Sequence, residues 1–397
     1  MRLLCIGNRY PPSAAEGGYE VIWAGAVQSL RATGHEVSVL TSDVDPVAAS
    51  DDGVHRELLW YWRDHQFPRL SLHATLSLER HNSDVLRRHL DELAPELVCF
   101  WSMGGMSLSL LEQVRRAGLP AAAMVCDDWI AYGPRVDGWT ARWRGIGRAA
   151  APLAARAFKL PTVLDLDRAA HWIFISRYTL DAAREQGWTL PGATVVHSGI
   201  DASRFAPRDP AEWGWRLLYA GRLDPRKGVE TAIEALARLP DEATLTIKGD
   251  GDRAYVTELC ELAARLAVAD RVSFEPYGRN EVADAYASAD ALVFPVRWRE
   301  PWGLVPLEAM AVGRPVLASR AGGGAAEYLA DGDNCLQFEP GDAGGLASAA
   351  ARLADDPGVR ERIRVGGAAT AARFTDAGFH AALERELLRA LATGRSS

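Results

Sequence analysis

Long apolar runs are missing from this 397-residue chain. No segment approaches the roughly 20 uncharged apolar residues that a membrane-spanning helix needs. Cysteine is sparse, odd in number and scattered, as Cys5, Cys99, Cys126, Cys260 and Cys335. That distribution excludes a disulfide framework and points to buried free thiols in a reducing compartment. No Cys/His spacing resembles a zinc site and the nine histidines are dispersed, so no metal is expected. Positive charge is in deficit: the formal net charge of -8 argues against nucleic acid as the main partner, because duplex binding needs a basic field. Lysine is nearly absent, with only Lys159, Lys227 and Lys248 among 44 basic residues. Also missing is a G-x-G-x-x-G between the first strand and first helix. Gly7 is followed there by Asn8, Arg9 and two prolines, which argues against a nicotinamide-dependent dehydrogenase.

What is present is ordinary for a globular protein, with 48% hydrophobic and 24% charged residues. The length exceeds what one hydrophobic core usually organises, so two domains are expected. The opening residues carry one basic residue and a short apolar run before Pro11. They read as a buried strand rather than a signal peptide, and a cytoplasmic location is expected. The Arg-dominated, Ala-rich composition fits a bacterial source.

Residues 2–6, a Gly/Pro-rich loop, a helical pattern over 19–33, Gly34 and a strand over 36–40 form a βαβ unit. Gly34 stands where a helix stops in a left-handed conformation. Further strands are predicted at 97–101, 121–125 and 172–175, with helix-length stretches between them. The pattern restarts at 215–220 after a turn-rich segment and continues with strands at 243–247, 272–274, 291–294, 315–318 and 335–338. Alternating strand and helix implies two doubly wound parallel sheets. The expected domains are 1–200, 201–375 and a final helical stretch, 376–397, packing back on the first.

Three loops carry the chemistry. Gly221, Arg222, Lys227 and Gly228 follow the strand at 215–220 and enter a helix. A diphosphate there would meet a planar fork, a compact ammonium and a helix N-terminus; a surface loop with solvated charges is equally compatible with the residues alone. Glu300 stands on a loop after the strand at 291–294, and a helix runs from about Leu304 to near Gly313. Glu308 falls one turn into that helix, held by apolar Leu307 and Met310. The amides of Gly303, Leu304 and Val305 would be first-turn donors aimed at phosphate. Gly322, Gly323 and Gly324 then lead to Glu327 and another helix, letting backbone approach a ligand or simply making a turn. Lys248 and Gly249 open a further strand-end loop suited to lining a base pocket.

These residues resemble the donor half of the retaining family 4 glycosyltransferases. The shared pattern is G-R-L-x-x-x-K-G, then two glutamates eight apart around G-L-x-P-x-E-A-M, then G-G-x-x-E, all present in order. The resemblance covers residues 215–338 and the N-terminal loop with Gly17 and Gly18. It implies a GT-B fold, two Rossmann-like domains facing a central cleft. It also implies hexosyl transfer with retention, a nucleoside-diphosphate sugar co-substrate (UDP- or GDP-sugar), and no metal or other cofactor. Carried over by position, Arg222 and Lys227 neutralise the departing diphosphate, Glu300 binds the transferred sugar and Glu308 holds the ribose. Gly17, Gly18, Gly221, Lys248, Gly249, Tyr277, Trp302, Gly303, Leu304 and Val305 complete the donor-binding set. Relatives often carry His-Asp after the strand at 121–125; here Cys126 stands at the histidine position, and Asp127 joins the catalytic set.

The acceptor, a small molecule or glycan, is not written in the sequence, nor is the oligomeric state. The arginines and tryptophans between Pro134 and Lys159 read as a solvated helix with a partly buried Trp face, in preference to an acceptor site or a membrane contact. The Trp-rich stretch 58–67 lies in the half expected to bind acceptor. Two other readings are a sugar-nucleotide epimerase of the same fold and a non-catalytic nucleotide-sugar-binding protein.

Overall fold

The structure is a computed structural model that describes residues 1–12, 17–43, 53–62, 67–276, 278 and 281–394. Contacts divide the chain into two compact units: Met1–Val196 with His380–Ser397, and His197–Phe379.

The first unit holds a seven-stranded sheet. Its strands are β1 (Arg2–Gly7), β2 (Glu36–Ser42), β3 (Val54–Leu58), β4 (Leu97–Phe100), β5 (Ala121–Val125), β6 (His171–Phe174) and β7 (Thr194–Val195). Their order is β3-β2-β1-β4-β5-β6-β7, and every pairing is parallel. Central strands such as β4 are buried throughout, as helices on both faces require. The edges differ. β3 reads Val-His-Arg-Glu-Leu and is half-exposed over four of its five residues, and β7 is two half-exposed residues. Neither was expected from the sequence, because an edge strand has no need of the apolar run by which a central parallel strand is recognised.

The helix Gly18–Ala32 follows β1, and Gly34 beyond it has φ 87°. Trp23 on this helix packs against Trp101 at a 5.7 Å centroid separation. A Cβ on Gly7 would sit 2.8 Å from the Trp23 ring, so this glycine serves close packing between strand and helix. Trp129, Trp172 and Phe174 add to a core with Leu4, Ile6 and Val98. In the Trp-rich stretch, Trp60 and Tyr61 are buried; the Trp60 indole donates to the Gly104 carbonyl at 2.9 Å and the Tyr61 hydroxyl to Glu79 at 2.7 Å. Trp139 is likewise fully buried, donating to the Pro161 carbonyl at 2.6 Å. The single helix pictured between Pro134 and Lys159 is instead several short pieces: Trp129–Val136, two 3-10 turns, and Ala151–Phe158.

The last helix, Asp376–Gly394, closes the first unit through residues 380 onward. Glu384 meets His35 Nε2 at 2.7 Å, and Glu386 meets His171 Nε2 at 2.7 Å. Leu383 and Leu387 are buried beside them.

The second unit holds β8 (Arg216–Ala220), β9 (Thr244–Lys248), β10 (Val272–Glu275), β11 (Ala291–Phe294), β12 (Val316–Ser319) and β13 (Leu336–Phe338). The order is β10-β9-β8-β11-β12-β13, again all parallel. The core gathers Leu217, Leu245, Ile247 and Leu317 from the sheet with Ile233, Leu259 and Ile363 from helices. In each sheet the chain reverses its direction of growth once, between β1 and β4 and between β8 and β11. Adjacent loops there leave toward opposite faces and open a crevice at the strands' carboxyl ends.

Leu387→Ala should cost the first unit about 2–5 kcal/mol, the usual range for truncating a buried leucine. Denaturant unfolding would show this as an earlier transition of that unit; an unchanged midpoint would mean that the last helix contributes nothing to its core.

Candidate functional site

At the switch point of the second sheet, the loops after β8 and β11 are joined backbone to backbone. The chain turns at Asp224, whose carboxylate caps the 3-10 turn Pro225–Lys227, and then passes through Gly228 into the helix Val229–Leu236. Gly228 has φ 69°, and a Cβ there would lie 2.1 Å from the Pro295 carbonyl oxygen. Only glycine meets both demands. The Arg297 amide also donates to the Arg226 carbonyl at 2.8 Å.

This junction brings Lys227 and Glu300 together. Lys227 Nζ donates to Glu300 Oε2 at 2.6 Å, and Trp298 Nε1 donates to the same oxygen at 2.8 Å. The Trp298 ring also faces Arg226, whose guanidinium carbon lies 4.7 Å from the ring centroid. Among the described residues Glu300 Oε1 accepts no hydrogen bond. Arg222 is exposed and forms no ion pair among the described residues. Its carbonyl accepts from the Tyr219 hydroxyl at 2.8 Å.

Glu300 is fixed through its backbone by the glycine-rich loop. The Gly324 amide donates to its carbonyl at 2.7 Å, and Glu300 and Gly323 form an isolated bridge. Gly323 has φ 81°, and a Cβ there would fall 2.4 Å from the Glu300 oxygen. Close approach is thus needed by another stretch of the same chain. The helix pictured after these glycines is a single 3-10 turn, Gly324–Glu327: Gly323 must hold its left-handed conformation against Glu300, and one turn later the chain is already at Tyr328. Glu327 meets His197 Nε2 at 2.9 Å.

The helix Leu304–Val312 begins at Gly303 (φ 88°) and ends at Gly313 (φ 84°). Its first-turn amides, at Leu304 and Val305, have no carbonyl one turn back within the helix. Glu308 is half-buried, and the Tyr286 hydroxyl donates to its Oε2 at 2.7 Å. Trp302, expected in the donor-binding set, turns its side chain into the unit. Its indole is 2% exposed, stacks on His197 at 4.4 Å, donates to the Ser198 carbonyl at 3.0 Å, and packs against Tyr328 and Phe374. The side chain supports the loop from inside the unit. Lys248 is buried with its ammonium 2.8 Å from Glu275 Oε2. Gly249 lies where a Cβ would be 2.0 Å from the Gly221 carbonyl oxygen, so the Gly221 and Gly249 loops pack directly on each other. Tyr277 lies outside the described residues.

The first unit has its own cluster beyond β1, β4 and β5. Tyr19 donates to Asn8 Oδ1 at 2.7 Å, Asn8 Nδ2 to Ser102 Oγ at 3.2 Å, and Ser102 Oγ to Asp127 Oδ2 at 3.2 Å. Asp127 Oδ1 accepts the Trp129 amide at 3.0 Å. Burial pushes the Asp127 carboxyl up to about 7, outweighing the Trp129 and Ser102 bonds; the charges of Asp128 and Glu20 add to the rise. Cys126 is buried and its thiol is pushed up by the same burial and by Asp127, so it remains a neutral thiol. Gly17 caps the helix Gly18–Ala32, its amide donating to Glu20 Oε2 at 2.9 Å. Sequence reasoning missed Asn8, Tyr19, Ser102, Trp298 and Tyr286. Trp298, two residues before Glu300, had a signal in its position; Asn8 and Ser102 follow strands, and Tyr19 and Tyr286 lie on helices that only the fold brings to them.

The family described as Glycosyl transferases group 1 matches residues 205–369, and Glycosyltransferase Family 4 matches residues 16–204. The chain belongs to the family 4, group 1 glycosyltransferases. Among curated relatives, glycogen synthase of Mycobacterium tuberculosis is 39% identical over 179 residues, covering 44% of this chain and 42% of that protein. D-inositol 3-phosphate glycosyltransferase of Xylanimonas cellulosilytica is 33% identical over 212 residues, covering 49% and 50%. The chain spans about half the length of the curated relatives it matches. HepE of Anabaena, crystallised with UDP and glucose, superposes with TM-score 0.71 at 20% identity over 97% of this chain and 98% of that one. Sucrose-phosphate synthase of Thermosynechococcus elongatus superposes with TM-score 0.77 at 21% identity over 99% of both. These two likenesses show the GT-B fold.

Two outcomes are expected. Gly323→Ala should destabilise the second unit by roughly 1–3 kcal/mol through left-handed strain and the clash with Glu300, read as a lower melting temperature; an unchanged value would mean that the loop relaxes freely. Asp127 binds its proton more tightly folded than unfolded, so its contribution to stability falls as pH rises from about 4 to about 7. Asp127→Asn should remove that loss, and its melting temperature should gain on wild type across this window. Parallel curves would contradict the assignment.

Proposed function

We propose that the chain transfers a hexosyl group from a nucleoside-diphosphate sugar, UDP- or GDP-linked, to a hydroxyl-bearing acceptor, with retention at the anomeric carbon and without a metal in the transfer step. The observation that carries this reading is Lys227 bonded to Glu300 at the switch point of the second sheet, close in sequence to the amide-rich start of the helix Leu304–Val312.

As the glycosidic bond breaks, negative charge grows on the leaving phosphate. Cations matched to that oxygen bind the transition state more tightly than the ground state. Lys227 has three donors and can serve phosphate while keeping Glu300; exposed Arg222 adds a bidentate fork. The amides of Gly303, Leu304 and Val305 donate to the diphosphate. Glu300 Oε1 receives a hydroxyl of the transferred sugar while Oε2 stays with Lys227 and Trp298. Glu308, oriented by Tyr286, takes the ribose hydroxyls. In the first unit, Gly17 and Gly18 approach the phosphates, and Asp127 takes the polar contact with the reacting sugar that Cys126, a neutral thiol, does not make. The acceptor is a small molecule or glycan. The names of the relatives, a glycogen synthase and a D-inositol 3-phosphate glycosyltransferase, differ in acceptor and choose neither.

Glu300→Gln should lower turnover about a hundredfold or more, the scale of losing a transition-state contact. It should leave nucleoside-diphosphate affinity equal or tighter, because a negative charge beside the anion is removed. Lys227→Ala should weaken that affinity by roughly tenfold, about 1.4 kcal/mol. Donor identity follows from a thermal-shift screen of UDP-, GDP-, ADP- and TDP-sugars, since a ligand bound only to the folded state raises its stability. Calorimetry showing unchanged nucleotide affinity in the Lys227 variant would sink the phosphate role. Donor epimerised without acceptor, or donor bound with no transfer to any acceptor pool, would replace the transferase reading.

A further inference from the structure

We propose that His55, Glu57 and His89 form a binding site for one zinc-class divalent metal ion, which clamps the edge strand β3 to the helix Leu72–Leu93. His55 and Glu57 are two apart on β3, whose pairing with β2 shifts register at Glu57, and the two side chains meet there. The helix brings His89 to the same place. One ligand atom from each residue lies within 4.8 Å of the others. Glu57 Oε1 is 3.3 Å from His89 Nε2 and 3.8 Å from His55 Nδ1. Tetrahedral zinc, with bonds of about 2.0–2.2 Å to nitrogen and oxygen, sets neighbouring ligand atoms roughly 3.4 Å apart. Small rotations of half-exposed side chains close that difference.

The surroundings suit a ligand set. Arg88 holds Glu57 Oε2, leaving Oε1 to face the two imidazoles. The His81 ring nitrogen lies 2.9 Å from the Glu57 carbonyl oxygen and steadies the strand from the helix side. An oriented carboxylate with its outer oxygen engaged is the usual arrangement around a bound metal. The two rings have centroids 4.5 Å apart at 58° and do not stack in parallel. His89 is 2% exposed, and its Nδ1 has no hydrogen-bond partner among the described residues. The nitrogen that faces the site is Nε2, whose one contact is the long one of 3.3 Å to Glu57 Oε1.

Imidazole and carboxylate together favour zinc among the common divalent ions and disfavour magnesium and calcium. His55 and Glu57 are about a third exposed, so water can complete the coordination and the ion can exchange. The site is four strand positions from β5, which leads to Asp127, about 19 Å at the usual strand spacing. Its role is therefore to secure the sheet edge, separate from sugar transfer. No spacing motif announced it, because 31 residues separate Glu57 from His89.

The test uses the full chain without a histidine tag. Titration with zinc chloride in a calorimeter should give one equivalent bound, and cobalt should give a tetrahedral visible spectrum. His55→Ala and Glu57→Gln, both at half-exposed positions, should each weaken zinc binding tenfold or more with unchanged circular dichroism. Zinc, but not magnesium, should raise the melting temperature of wild type and not of these variants. The proposal is overturned if wild type binds no zinc at about 100 µM, or if both variants bind it as wild type does.

Discussion

Glu300 is held from three directions at once, and the arrangement of the loops around the second unit's switch point depends on that restraint. Its carbonyl is bonded by the Gly324 amide, its carboxylate is shared by Lys227 and Trp298, and Gly323 presses backbone to backbone against it. A loop glutamate would ordinarily sample many rotamers, each costing entropy to order on binding. Here the ordering is done by the folded chain. Lys227 is likewise set by neighbours: Asp224, lowered to about 2 chiefly by its bonds to Arg226, stays ionised and caps the turn that carries the lysine.

The first unit uses a different device. Its polar groups at the strand ends form a chain from Tyr19 through Asn8 and Ser102 to Asp127, and burial leaves that carboxyl poised near neutrality. One unit therefore offers fixed charge, and the other offers a carboxyl whose charge depends on its surroundings.

Much of the fold was legible because central parallel strands announce themselves. β1, β4, β5, β8, β11 and β12 are short apolar runs bounded by turn residues, and Gly34 and Gly313 mark helix ends by their left-handed conformations. β3 and β7 were not legible, since half-exposed edge strands lack that signature. At the site, Lys227, Glu300 and Glu308 were legible as motif members, but their partners were not: Trp298, Tyr286 and the backbone of Gly323 act through distances that sequence spacing does not encode. Trp302 shows the converse. An aromatic inside a strong motif reads as a ligand contact, yet its indole is enclosed by His197, Tyr328 and Phe374.

The seam at Gly228 has a consequence for how such a protein changes over time. Because Pro295 meets Gly228 through a carbonyl and Arg297 meets Arg226 through an amide, the two loops are registered by main-chain atoms that every residue type but proline at 297 supplies. The Arg299 side chain can then drift without shifting Lys227 against Glu300, while a single methyl group at 228 cannot be accommodated. A scaffold of this kind separates what must be inherited from what is open to variation.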